Sequence, residues 1–148
     1  MKKHKALALI LVLAMLTGIA AWLHLSSREN VAEGTLQMTI DGHSHAVEVS
    51  GLDFEPVSGV RVNGKGESIP VEGQGISVKD LLESKKIASY SKVTVLSNDS
   101  YAAELAAEEI TEDGKAYLML DEEELRLIVF GDSNSKRSVS NVVQIIVE

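Results

Sequence analysis

Glu124-Leu125-Arg126-Leu127-Ile128-Val129-Phe130-Gly131-Asp132 is the stretch that decides the fold. Strand alternation puts Leu125, Leu127 and Val129 on one face and Arg126, Ile128 and Phe130 on the other. Both faces carry apolar groups, so this strand is expected to be covered on both sides. A polar loop, Gly131 to Lys136, follows. Val139 to Val147 then supplies a last apolar run, expected to lie beside Leu125–Phe130 in a mixed sheet.

Working upstream, Ala116 to Leu120 pairs naturally with Leu125–Phe130 across the acidic turn Asp121–Glu124. Lys92 to Leu96 and Tyr101 to Leu105 flank the turn Asn98-Asp99-Ser100, and Ala106 to Ile110 is a short helix. Ser77-Val78-Lys79-Asp80 opens a helix over about Val78 to Lys85, with Ser77 as its cap. Ile69 to Gly75 is extended, Asn63-Gly64-Lys65-Gly66 is a turn, Val60 to Val62 a short strand, and Gly51 to Gly59, with Pro56, a loop. Thr35 to Ile40 alternates cleanly, and Asp41-Gly42 signals a tight hairpin to a returning strand, His43 to Val49. Many strands with two short helices predict an α+β domain, rich in sheet.

Lys2, Lys3 and Lys5 precede an uncharged run, Ala6 to Leu25. Its length suits a helix across a hydrocarbon core, and Trp22 suits an interfacial anchor. Cleavage after Gly18-Ile19-Ala20 is the signal-peptide alternative. The lysines precede the run, so the bulk of the chain is expected outside the cytoplasm. The expected organisation is a membrane anchor or signal segment at 1–26, a linker at 27–34 and an extracytoplasmic domain at 35–148.

All 22 Asp and Glu lie beyond the run, against the 11 Lys and Arg left when three lysines are set aside from 14, a net charge of −11. Such a surface disfavours nucleic acid and anionic lipid. The chain has no cysteine, hence no disulfide, thiolate ligand or thiol nucleophile. No phosphate-binding glycine loop or nucleophile elbow occurs. His43 and His45 share a strand face and, with Asp41 nearby, could hold a metal; two exposed histidines at a hairpin tip is the plainer reading. Glu122-Glu123-Glu124 lacks calcium-loop spacing. Tyr90, Tyr101 and Tyr117 are too scattered for a stacking platform. Lys136-Arg137, after a donor-rich loop, can grip a phosphate or carboxylate, or simply begin a solvated strand.

Several segments, in order, resemble the sulfite-oxidase-type molybdopterin-binding domain. Gly75-Ile76-Ser77-Val78-Lys79-Asp80-Leu81-Leu82 is similar to its "GVPLKDLL" helix start, and Ser97-Asn98-Asp99-Ser100-Tyr101 to its "ASDGYS" turn. Glu124 to Asp132 resembles its "PLRLVVPG" strand, and Lys136 to Val147 its closing "ARWVKWVTRIEV" strand. The likeness runs from about Val47 to Glu148. It implies an α+β, mixed-sheet sulfite-oxidase-like molybdopterin-binding fold, here preceded by one transmembrane helix. The resemblance alone also implies molybdopterin as a cofactor, with Arg61, Lys136 and Arg137 as phosphate or pterin contacts.

The chain departs from that family where the chemistry lies. The molybdenum-ligating cysteine is missing from Ser58-Gly59-Val60-Arg61-Val62-Asn63, and the family's closing-strand tryptophan and lysine fall on Ser138 and Ser140. No nearby residue replaces a thiolate. No residue is therefore assigned as catalytic or metal-binding. The expected function is a non-catalytic binding or accessory module, a partner being another extracytoplasmic redox protein. The alternative is an oxidoreductase that holds the pterin without a cysteine ligand.

Overall fold

The computed structural model describes residues 8, 10–19, 34–122 and 124–148, in two compact units divided after Asn30. In the first unit the described residues, 8 and 10–19, are helical and belong to α1. Among the described residues no helix is long and apolar enough to cross a membrane. The expected transmembrane helix over Ala6–Leu25 is corrected accordingly; Ala6, Leu7, Leu9 and residues 20–25 lie outside the described residues.

The second unit is built mostly of strands: β1 (Thr35–Ile40), β2 (His43–Glu48), β3 (Glu55–Val62), β4 (Ser68–Ser77), β5 (Lys92–Ser97), β6 (Ala102–Ala106), β7 (Ala116–Asp121), β8 (Glu124–Val129) and β9 (Val142–Val147). Two short helices, α2 (Val78–Ser84) and α3 (Ala107–Thr111), interrupt them. The expected α+β, sulfite-oxidase-like fold is thus corrected to a two-sheet β architecture. One sheet has the order β2-β1-β9-β5-β6, its only parallel neighbours being β1 and β9; the other has the order β3-β4-β7-β8 and is antiparallel throughout. The helices, seven and five residues long, add a turn or two and form no layer of their own.

Two further expectations change. Gly51–Gly59 is not a loop throughout, because β3 begins at Glu55 and pairs with β4 over eight residues. Pro56 is tolerated there because β3 is an edge strand, where one missing N–H costs no ladder bond. β8 and β9 are not sheet neighbours either. They belong to different sheets, and β8 is bridged instead by Val139, in the segment that precedes β9.

Local chemistry explains the elements that form as expected. Asp41 and Gly42 take φ of 50° and 78°, the paired left-handed values of a two-residue hairpin, and β1 and β2 pair from Ile40–His43 to Thr35–Glu48. The Ser77 hydroxyl accepts the Asp80 amide at 2.9 Å and caps α2. The inner faces of both sheets meet in one apolar cluster, with Leu36 and Met38 from β1, Val93 and Val95 from β5, Ile145 from β9, Leu118 from β7 and Leu127 from β8. Val78, Leu81 and Leu82 close it from α2.

The four-stranded sheet buries its second face too. Met119 and Ile128 are 4 % and 3 % exposed yet stand apart from the main cluster, on the opposite side of their strands. Phe130 lies against Tyr117, ring centroids 5.7 Å apart and edge to face. A methyl group built on Gly59 would sit 2.5 Å from the Phe130 ring, and one on Gly75 would sit 2.6 Å from the Met119 sulfur. Gly59 is on β3, whereas Phe130 directly follows β8 at the other end of the strand order. The sheet therefore curls until its two edges meet, and glycine makes room for the closure.

Candidate functional site

The residues expected to grip an anion do not form one site. Arg61 is half-buried on β3, opposite Ile69. Lys136 is exposed in the loop between β8 and β9; its amide donates to Asn134 Oδ1 at 3.0 Å and its carbonyl accepts from the Tyr101 hydroxyl. The β3–β4 turn comes close to this loop, where Gly64 faces the Ser135 hydroxyl.

Arg137 is committed within the protein. Its Nε donates to Asp132 Oδ2 at 2.8 Å and its Nη2 to Asp132 Oδ1 at 2.5 Å, a two-pronged pair. Its Nη1 donates to Glu109 Oε2 at 2.8 Å and reaches the Glu104 carbonyl at 3.5 Å. The guanidinium keeps 27 % of its side-chain exposure, Asp132 18 % and Glu109 27 %. The hydrogen bonds it donates to Asp132 raise the Arg137 pKa above its ordinary value against the opposing effect of burial, and Glu109 adds to the rise. Burial pushes the Glu109 carboxyl up, but the Ala106 amide and the Arg137 guanidinium outweigh it and hold the group below the usual range. Glu109 thus joins two tasks: its carboxylate accepts the Ala106 amide at 3.1 Å, at the start of α3, and binds Arg137. The result ties the β8–β9 loop to β6 and α3.

The larger open depression lies elsewhere. It is a cleft of about 330 Å³ between the 3-10 turn at Val49–Gly51, the start of β3 and the first turns of α2. Asp53, Glu55 and Asp80 bring carboxylates to it, Lys85 an ammonium, and Ser77 and Tyr117 hydroxyls. A second, shallower depression runs along the β3–β4 ribbon at Pro56–Ser58 and Glu72–Gln74. Arg61, Lys136 and Arg137 line neither. A mainly acidic, hydroxyl-bearing cleft suits a cationic or hydrogen-bonding group and repels a phosphate.

The cleft residues escaped sequence reasoning because nothing local marks them. Asp53 and Glu55 sit in a stretch that reads as loop, Asp80 and Ser77 read as helix capping, and Tyr117 lies in a strand of another hairpin. His43 and His45 do share the face of β2 and are both exposed. No group of three or more metal-ligating side chains converges on them or elsewhere among the described residues. No protein-family model matches the chain, and no curated protein matches it.

Proposed function

We propose that this chain is a non-catalytic binding module that works outside the cytoplasm and presents its acidic cleft to a cationic segment of a partner, a redox protein of the same compartment being the first candidate. The observation that carries this reading is the closure of Arg137. Its Nε, Nη1 and Nη2 make four hydrogen bonds, to Asp132, Glu109 and the Glu104 carbonyl, so the cation that the family likeness would aim at a cofactor phosphate is spent on joining loop to sheet. The cleft that is open carries Asp53, Glu55 and Asp80, of the opposite sign from a phosphate-binding pocket. The extracytoplasmic placement rests on Lys2, Lys3 and Lys5 standing ahead of the uncharged run, the pattern with which a signal peptide begins.

The experiment is cofactor analysis of the full chain purified from its own host, with molybdenum, pterin and sulfite or sulfoxide turnover measured on one sample. The module reading expects sub-stoichiometric metal and pterin and no turnover. Stoichiometric pterin with turnover establishes the alternative, an oxidoreductase that holds the cofactor without a cysteine. Charge reversal at Asp53, Glu55 and Asp80 then tests the cleft: a partner recovered with the wild-type chain should be lost from the reversed one, in a salt-dependent way.

A further inference from the structure

Asn63-Gly64-Lys65-Gly66 joins β3 to β4. Its tip comes against the β8–β9 loop, where a methyl group built on Gly64 would stand 3.8 Å from the Ser135 hydroxyl. The Gly66 amide closes the turn on the Asn63 carbonyl at 3.1 Å, and the Asn63 amide donates to the Glu67 carbonyl at 2.9 Å. The Asn63 side chain is held inside this turn at both of its ends. Its Oδ1 accepts the Lys65 and Glu67 amides, each at 2.9 Å, and its Nδ2 donates to Glu67 Oε2 at 2.8 Å.

These contacts surround the side-chain amide with the groups that its cleavage needs. Two N–H donors on Oδ1 draw electrons away from Cγ and stabilise the oxyanion that a nucleophile would create there. The backbone nitrogen of Gly64 can reach Cγ by closing a five-membered ring. Among the described residues that nitrogen has no hydrogen-bond partner, and glycine puts no side chain in its path. The Glu67 carboxylate touches the nitrogen that must leave. Residues 64–67 are exposed, so water reaches the turn.

We propose that Asn63 is a self-modification site, at which the turn converts its own asparagine to aspartate and isoaspartate. The Gly64 nitrogen forms a bond to Asn63 Cγ, and its proton passes through the Glu67 carboxylate to Nδ2. The Cγ–Nδ2 bond breaks and ammonia departs, leaving a succinimide. Water then opens the ring, at Cγ to give aspartate or at the backbone carbonyl to give isoaspartate. Water is the only co-reactant, and nothing is oxidised or reduced. Either product sets a second carboxylate beside that of Glu67, where the amide used to donate, and the isoaspartyl form also lengthens the main chain by a methylene group. The turn loses the bond that fixed it and gains like-charge repulsion, which frees its tip from the β8–β9 loop. This inference does not depend on the acidic cleft.

The test follows the full chain at mildly alkaline pH by peptide mass mapping and ion exchange, which read the amide-to-carboxyl mass change and the added negative charge. Asn30, Asn98, Asn134 and Asn141 serve as internal controls. Asn63 should convert first, at least about tenfold faster than Asn134, whose Oδ1 also accepts a backbone amide but which serine follows. Glu67→Gln keeps an acceptor for Nδ2 yet carries no proton, so it should slow the loss by about tenfold or more while the thermal melt stays unchanged. Gly64→Ala, whose methyl group fits against Ser135, should slow it as well. Asn63→Asp carries the new charge from the start and should be cut by trypsin after Lys65 sooner than the wild-type chain. Conversion of Asn63 no faster than that of Asn134 overturns the proposal. So does a wild-type rate of loss in either Glu67→Gln or Gly64→Ala, and so does an Asn63→Asp chain that resists trypsin as well as wild type.

Discussion

β8 and β2 are both six-residue strands at the edge of a sheet, yet one is among the best-covered strands and the other the barest strand. On β8, Leu125, Leu127, Ile128 and Val129 are all buried; on β2 only Val47 is. The difference is what the chain does next. After β8 it turns through Gly131–Lys136 and comes back at Val139 to bond Leu127, while the β3 edge curls over Phe130. After β2 it leaves through the turn at Val49–Gly51 and does not return to that edge. An edge strand is covered by returning chain and curvature, and apolar content alone does not provide either.

The comparison breaks first at Leu127. Its side chain is 0 % exposed in the shared cluster, so Leu127→Ala should cost about 2–5 kcal/mol, read by chemical denaturation. On β2 a comparable truncation at His45, which is exposed, should stay within about 0.5 kcal/mol. Equal losses at the two positions would remove the contrast.

Gly59→Ala probes the curl that covers β8. The new methyl group meets the Phe130 ring, and destabilisation of about 1–3 kcal/mol is expected. A double-mutant cycle with Phe130→Leu should recover part of it. Additive losses would mean that the two edges do not press on one another.

The Arg137 clamp comes next, at about 1–2 kcal/mol for Arg137→Ala, because its partners are only partly buried. Its pH dependence has a definite sign. The folded Glu109 pKa is depressed, so its contribution is complete above the unfolded glutamate value and is lost as pH falls through the folded one. The stability gap between wild type and Arg137→Ala should therefore be constant near neutrality and shrink below about pH 4. A gap that is flat into acid would detach Glu109 from the clamp. Removal of the α2 cap by Ser77→Ala should cost about 1 kcal/mol and leave both strands as they are.

Legibility in the sequence followed locality. The Asp41-Gly42 hairpin, the Ser77 cap and the alternation along Leu125–Phe130 could be read directly, because each depends on a few neighbouring residues and their backbone preferences. The two apolar faces of β8 were legible for the same reason. Glu55–Gly59 was misread because Pro56 and Gly59 are breakers in isolation; on a curled edge one costs nothing and the other is what the Phe130 ring requires. The uncharged run at Ala6–Leu25 suggested a spanning helix by length and hydropathy, whereas no helix among the described residues is long and apolar enough to cross a membrane.

The sequence by itself determined the turns, the caps and which side chains of each strand share a face, since those follow from backbone sterics and a period of two. Only the tertiary structure decided which strand lies beside which, so that β8 and β9 part into different sheets although both are apolar. It also decided whether Arg137 meets a ligand or the protein's own Asp132 and Glu109, and that Asp53, Glu55 and Asp80 share one cleft. The physical reason is common to all three. Strand order, the Arg137–Glu109 pair and the cleft depend on residues tens of positions apart, and their energies exist only after the chain has closed the loops that bring them together.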